Sequence, residues 1–183
     1  MYSDSYALIQ RLLHWTIALV VLALLAVGAL LGNVGFQGLV EAVGQDMTNQ
    51  LYKYHKTFGV ILLGLMLARV VCRLMLGSPA YSEPLPLFNR LASGAVHVAL
   101  YAALLSMPIL GWLATAAGGF PVEFFNMKLP GLIGKDPELA KLLFQWHGIM
   151  GWVILGLAAV HIGAAIHHWT QPRDRVMGRM SLL

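Results

Sequence analysis

Four stretches of this chain are apolar for long enough to cross a lipid bilayer, and that excludes most folds. They run Leu12–Leu31, Phe58–Leu76, Leu91–Ala117 and Leu142–Trp169. A hydrocarbon core roughly 30 Å thick takes about 20 residues of helix to span. In lipid every backbone N–H and C=O must find its partner within the segment, so such stretches fold as helices. The expectation is an all-α transmembrane four-helix bundle, with residues 1–183 forming one integral-membrane domain. Only 11% of residues are charged, against about 25% in soluble domains. The surroundings are therefore membrane lipid, and no nucleic-acid partner is expected. The first span reads as a retained helix rather than a cleaved leader, because it is long, carries His14 and has no A-x-A site after it. Cys72 is the single cysteine, so neither an intrachain disulfide nor a Cys-x-x-Cys-His haem attachment is possible.

Charge sets the expected orientation. Four spans put both termini on one side. All seven arginines (Arg11, Arg69, Arg73, Arg90, Arg173, Arg175, Arg179) fall there, against three acids. The five lysines (Lys53, Lys56, Lys128, Lys135, Lys141) fall on the other side, against five acids. The positive-inside rule places both termini in the cytoplasm. Gly32–Leu51 and Gly118–Lys141 then read as periplasmic loops. Gly77–Arg90 reads as a cytoplasmic turn stiffened by Pro79, Pro84 and Pro86. Pro108 lies inside the third span and frees the carbonyl of Leu104.

Histidine is the most frequent polar residue inside these spans. His147 and His161 lie fourteen residues apart on the last span. Fourteen steps return to within about 40° of the same helix face, about 21 Å along the axis. His55 begins the second span at the level of His147, and His14 and His97 begin the first and third at the level of His161. Paired imidazoles on facing helices suit the axial positions of a haem iron. A zinc site would want three or four ligands, often carboxylate or thiolate, and no Asp or Glu lies inside any span. Fourteen residues beyond His14, His55 and His97 stand Gly28, Arg69 and Gly111. A glycine lets a flat ring approach the backbone, and Arg69 can clamp a haem propionate. His97 keeps three roles open: a ligand in place of His14, a propionate partner, or part of a quinone pocket.

The segments RLLHW, YKYHKTFG with LARVVCRL, VHVALYAALLSMPILGWL, and WHGIMGWVILGLAAVHIGAAIHHW followed by PRDRVMGRM resemble the bacterial cytochrome b561 family. Within it, they look like the superoxide:ubiquinone oxidoreductases of the inner membrane. The resemblance implies two b haems, with His14 and His161 ligating the cytoplasmic-side iron and His55 and His147 the periplasmic-side one. It also implies a quinone site at His168. Electrons would enter outside and reduce ubiquinone inside. Lys53 and Lys56 flank His55 and are the best placed residues to steer an anion such as superoxide. The alternative is a haem-bearing electron-transfer subunit of a larger dehydrogenase or hydrogenase, fed by a periplasmic donor protein. A metal-ion transporter is disfavoured by the lack of intramembrane carboxylates.

Overall fold

The computed structural model describes residues 5–79, 86–170 and 177–182. Pro84 of the expected turn, and Arg173 and Arg175 of the charge reading, lie outside the described residues. The chain forms an all-α bundle of four long helices: α1 Leu8–Val43, α2 Gln45–Leu76, α3 Leu87–Ala117 and α4 Pro137–Thr170. All four are long and apolar enough to cross a membrane. A short antiparallel hairpin, β1 Val122–Phe124 with β2 Met127–Leu129, sits between α3 and α4, pairing Val122 with Leu129 and Phe124 with Met127. A 3₁₀ turn, Met177–Arg179, is the last described element.

Local chemistry sets the helix limits. Gly44 has φ 84° and separates α1 from α2, a left-handed position that a side chain would strain. Asp136 caps α4: its Oδ1 accepts from Glu138 N–H and Leu139 N–H at 3.1 Å each, and Pro137 takes the first helical position. The helices extend well past the apolar stretches. The expected loop Gly32–Leu51 is almost all helix, interrupted by a non-helical residue at Gly35 and the turn at Gly44. An apolar window measures lipid thickness, whereas a helix continues into water for as long as its backbone bonds and packing favour it. Here Leu39 of α1 and Thr48 of α2 are buried, and the rings of Phe36 and Tyr52 meet at 5.6 Å.

The bundle is thin-walled. Leu19, Leu74, Val98 and Trp152 point outward, as lipid-facing residues must. Its buried layer is Ile17 and Val21 from α1, Leu62 and Met66 from α2, Ala103 from α3 and Ile154 from α4. Val21, Leu62 and Ile154 each stand seven residues from a histidine on their own helix: His14, His55 and His147. The layer therefore divides the bundle at mid-height, with one polar level on each side.

Candidate functional site

One level lies toward the hairpin. His55 of α2 and His147 of α4 face each other with ring centres 6.1 Å apart and planes at 79°. Gly28 of α1 and Gly111 of α3 flank them. A Cβ at Gly28 would lie 3.2 Å from His55 Cε1, and one at Gly111 would lie 2.9 Å from His147 Cε1. A cavity of about 280 Å³ opens beside the pair, lined by both histidines, Gly28, Leu62, Pro108 and Ile154 among others. His147 Nδ1–H donates to the carbonyl of Met107 at 3.2 Å. His55 Nδ1 is buried and has no hydrogen-bond partner among the described residues.

The other level lies toward the termini. His161 of α4 faces His14 of α1 at 6.0 Å and His97 of α3 at 5.3 Å. His14 and His161 are half-buried and His97 is exposed. Arg69 of α2 reaches the same level. Its Nη2 meets His14 Nδ1 at 3.3 Å, its Nη1 donates to Gln10 O at 3.1 Å, and its guanidinium lies 5.9 Å from the centre of the Tyr101 ring. Arginine only donates, so His14 Nδ1 accepts in this arrangement. His168 lies two helical turns beyond His161 on the same face, about 10 Å further along the axis, and its ring packs against His167 at 5.9 Å.

The donor set fits haem b. Two imidazoles on one metal, through bonds of about 2 Å each, place their ring centres roughly 6 Å apart. His55–His147 and His14–His161 meet that separation, and His97–His161 is closer. Met107 holds the proton on Nδ1 of His147 and leaves Nε2 free as a ligand. At His14, ligation through Nε2 requires Arg69 to turn aside, toward an anion such as a propionate. Among the described residues, no cluster of three or more His, Cys, Asp or Glu is arranged to hold a bare metal ion.

The hairpin is tied to α2 beside His55. Thr57 Oγ1 donates to Glu123 O at 3.4 Å and accepts from Phe125 N–H at 3.1 Å. Lys53 Nζ donates to Asn126 Oδ1 at 2.9 Å, and Lys56 Nζ donates to Pro121 O at 3.2 Å and pairs with Glu123. Sequence reasoning missed Thr57, Glu123 and Asn126, because their partnership exists only once the loop folds back onto α2. Thr57→Ala removes both hairpin bonds and leaves two backbone groups to water or unpaired. It is expected to lower thermal stability by about 1–3 kcal/mol and to increase amide exchange at Phe125 ahead of the bundle.

At the terminal end, a second network closes the bundle. Tyr6 N–H donates to Arg179 O at 3.0 Å, Arg11 donates to Ser181 O at 2.6 Å, and Trp15 Nε1–H donates to Met180 O at 2.9 Å. Arg73 and Arg179 both lie over the Tyr6 ring. Gln10 donates to Gly77 O at 3.1 Å. No motif in the sequence marks these contacts.

Comparison with known proteins gives the family. Residues 5–181 match the family described as prokaryotic cytochrome b561. Cytochrome b561 homolog 2 of Escherichia coli K12 is 26% identical over 184 residues, covering 97% of this chain and 91% of that protein. Cytochrome b561 homolog 1 of the same organism is 27% identical over 128 residues, covering 69% of this chain and 72% of that protein. A protein of Yersinia pestis named probable superoxide oxidase CybB is 24% identical over 180 residues, covering 96% and 95%. With four apolar membrane-length helices, two histidine levels and a family match over nearly its whole length, the chain belongs to the prokaryotic cytochrome b561 family of multi-pass, haem-b membrane electron-transfer proteins.

Proposed function

We propose that this protein carries electrons from the periplasmic side of a bacterial inner membrane to membrane quinone, with superoxide as donor and ubiquinone as acceptor. Residues 1–183 act as one membrane domain with both termini in the cytoplasm. His55 with His147, and His14 with His161, hold two haems b. The observation that carries the reading is the stack itself: two ring pairs near 6 Å, at two heights, with an apolar layer between them. Haem held by these pairs would supply one-electron chemistry.

The chain's own residues do the rest. Ile17, Val21, Leu62, Met66 and Ile154 exclude water and ions from mid-height, so protons and anions stay on their own sides. Arg69 turns to a propionate. His97, exposed at the inner level, bonds a propionate or lines the quinone pocket. His168 passes protons from the cytoplasmic side to quinone. Two superoxide ions leave as dioxygen, and quinone takes two electrons and two protons to become quinol. The charge of Lys56 is compensated by Glu123, whereas among the described residues Lys53 bonds a neutral amide. Lys53 is therefore the stronger steering residue.

That compensation also keeps a second reading alive, an electron-transfer subunit fed by a periplasmic donor protein, because it weakens the case for anion capture. Purified protein mixed with superoxide and ubiquinone separates the two. Quinol should form, at a rate that falls as salt shortens electrostatic reach to about 10 Å at 0.1 M. Lys53→Gln should slow entry by up to about tenfold, Lys56→Gln by less, and neither should lose haem. His168→Ala should leave haem reduction by superoxide intact and impair quinol formation. A protein inert to superoxide but promptly reduced by a co-purifying periplasmic protein would favour the subunit.

A further inference from the structure

The two imidazoles of the hairpin-side pair differ in how they are held. His147 Nδ1–H donates to Met107 O at 3.2 Å, and Gly111, one turn further along α3, leaves room for its ring. His55 has its glycine spacer, Gly28, but its buried Nδ1 has no partner among the described residues. The carbonyl that receives His147 is also unusual. It belongs to the Met107–Pro108 bond, a tertiary amide, whose alkylated nitrogen pushes more electron density onto oxygen than a secondary amide does. Pro108 itself is buried inside α3 and withholds the N–H that Leu104 O would otherwise receive.

We propose that Pro108 is a positioning residue. Through the Met107 carbonyl it fixes the tautomer and ring plane of His147 and makes that ring the more electron-rich of the pair, while His55 stays free to rotate. This rests on the reading of His55 and His147 as haem ligands. A hydrogen-bonded Nδ1–H raises the basicity of the opposite nitrogen, which favours oxidised iron over reduced. The outer pair is then asymmetric: one ring is set by α3 and the other adapts.

Ligand-replacement variants test the asymmetry in the full-length protein. Purified His147→Gly and His55→Gly are each supplied with haemin and titrated with imidazole, 4-methylimidazole and 1-methylimidazole while the low-spin spectrum of the restored haem is followed. Both of the first two probes keep an N–H opposite the ligating nitrogen, and 1-methylimidazole has none. In His147→Gly, 1-methylimidazole should bind about tenfold more weakly than 4-methylimidazole. In His55→Gly the two should agree within about twofold. Equal binding at position 147, or the same discrimination at position 55, overturns the proposal. Retention of two haems by His147→Gly as purified, with no imidazole added, would instead overturn the ligand reading, and the proposal with it. Pro108→Ala gives a second readout and supplies the N–H that Leu104 O lacks. It should keep both haems and shift the reduction equilibrium of one of them about tenfold toward the reduced form, close to 59 mV for one electron. Unchanged potentials at full haem content would contradict a positioning role.

Discussion

His147→Ala is expected to strip one haem from the protein and leave the spectrum of the other in place. His147 faces His55 at the hairpin-side level, and the other histidine level lies about 21 Å away along the helices. Loss of an axial imidazole should weaken binding at that level by roughly 100-fold or more, beyond the usual effect of disturbing a ligand's hydrogen-bond partner. His55→Ala should give the same one-haem species. His14→Ala and His161→Ala should remove the other haem. His97 lies closer to His161 than His14 does, at 5.3 Å, so it is the natural control. If His97→Ala abolishes the inner haem and His14→Ala does not, the third helix supplies the ligand. Difference spectra on membranes from each variant read this directly.

The second large effect is steric. At Gly111 even a methyl group would stand 2.9 Å from His147 Cε1 and 3.2 Å from its Nδ1. The ring is held by Met107 O on the same helix, so it cannot retreat without breaking that bond. Gly111→Ala is therefore expected to lower haem occupancy at the hairpin-side level by about tenfold or more. Gly28→Ala should do less, because its contact with His55 is 3.2 Å and His55 Nδ1 has no hydrogen bond among the described residues to lose. Gly32→Ala, where nothing lies within 4 Å, should bind haem as the parent does. Haem content per polypeptide across the three variants checks the order. A Gly111→Ala protein with full occupancy would mean that the pair has more room than the structure gives it.

Much of this architecture is legible in the sequence, because a membrane leaves a helix few alternatives. Apolar length gives four helices, and a fourteen-residue spacing returns a side chain to the same face. The spacing also relates levels: Arg69, fourteen beyond His55, meets His14 at 3.3 Å, and Gly28, fourteen beyond His14, meets His55. Spacing alone does not rank His14 against His97, because both stand at the height of His161 and only the lateral packing of α1 and α3 separates them. The helix ends past the lipid are hidden for a different reason. They depend on Gly44 and on packing between Leu39, Thr48 and their neighbours, not on an apolar period. The bonds from Lys53, Lys56 and Thr57 to the hairpin join residues more than sixty positions apart, beyond any local pattern. The terminal network around Tyr6 and Arg179 is long-range in the same way.

The two-level stack is what the functional reading stands on, and stoichiometry tests it most directly. Haem b in the purified protein, quantified as the pyridine haemochrome against polypeptide, is expected at two per chain. All of it should be extractable by acid-acetone, because Cys72 is the only thiol and a thioether attachment motif is absent. One haem per polypeptide, or none, would contradict the arrangement of His55 with His147 and His14 with His161 as two separate centres.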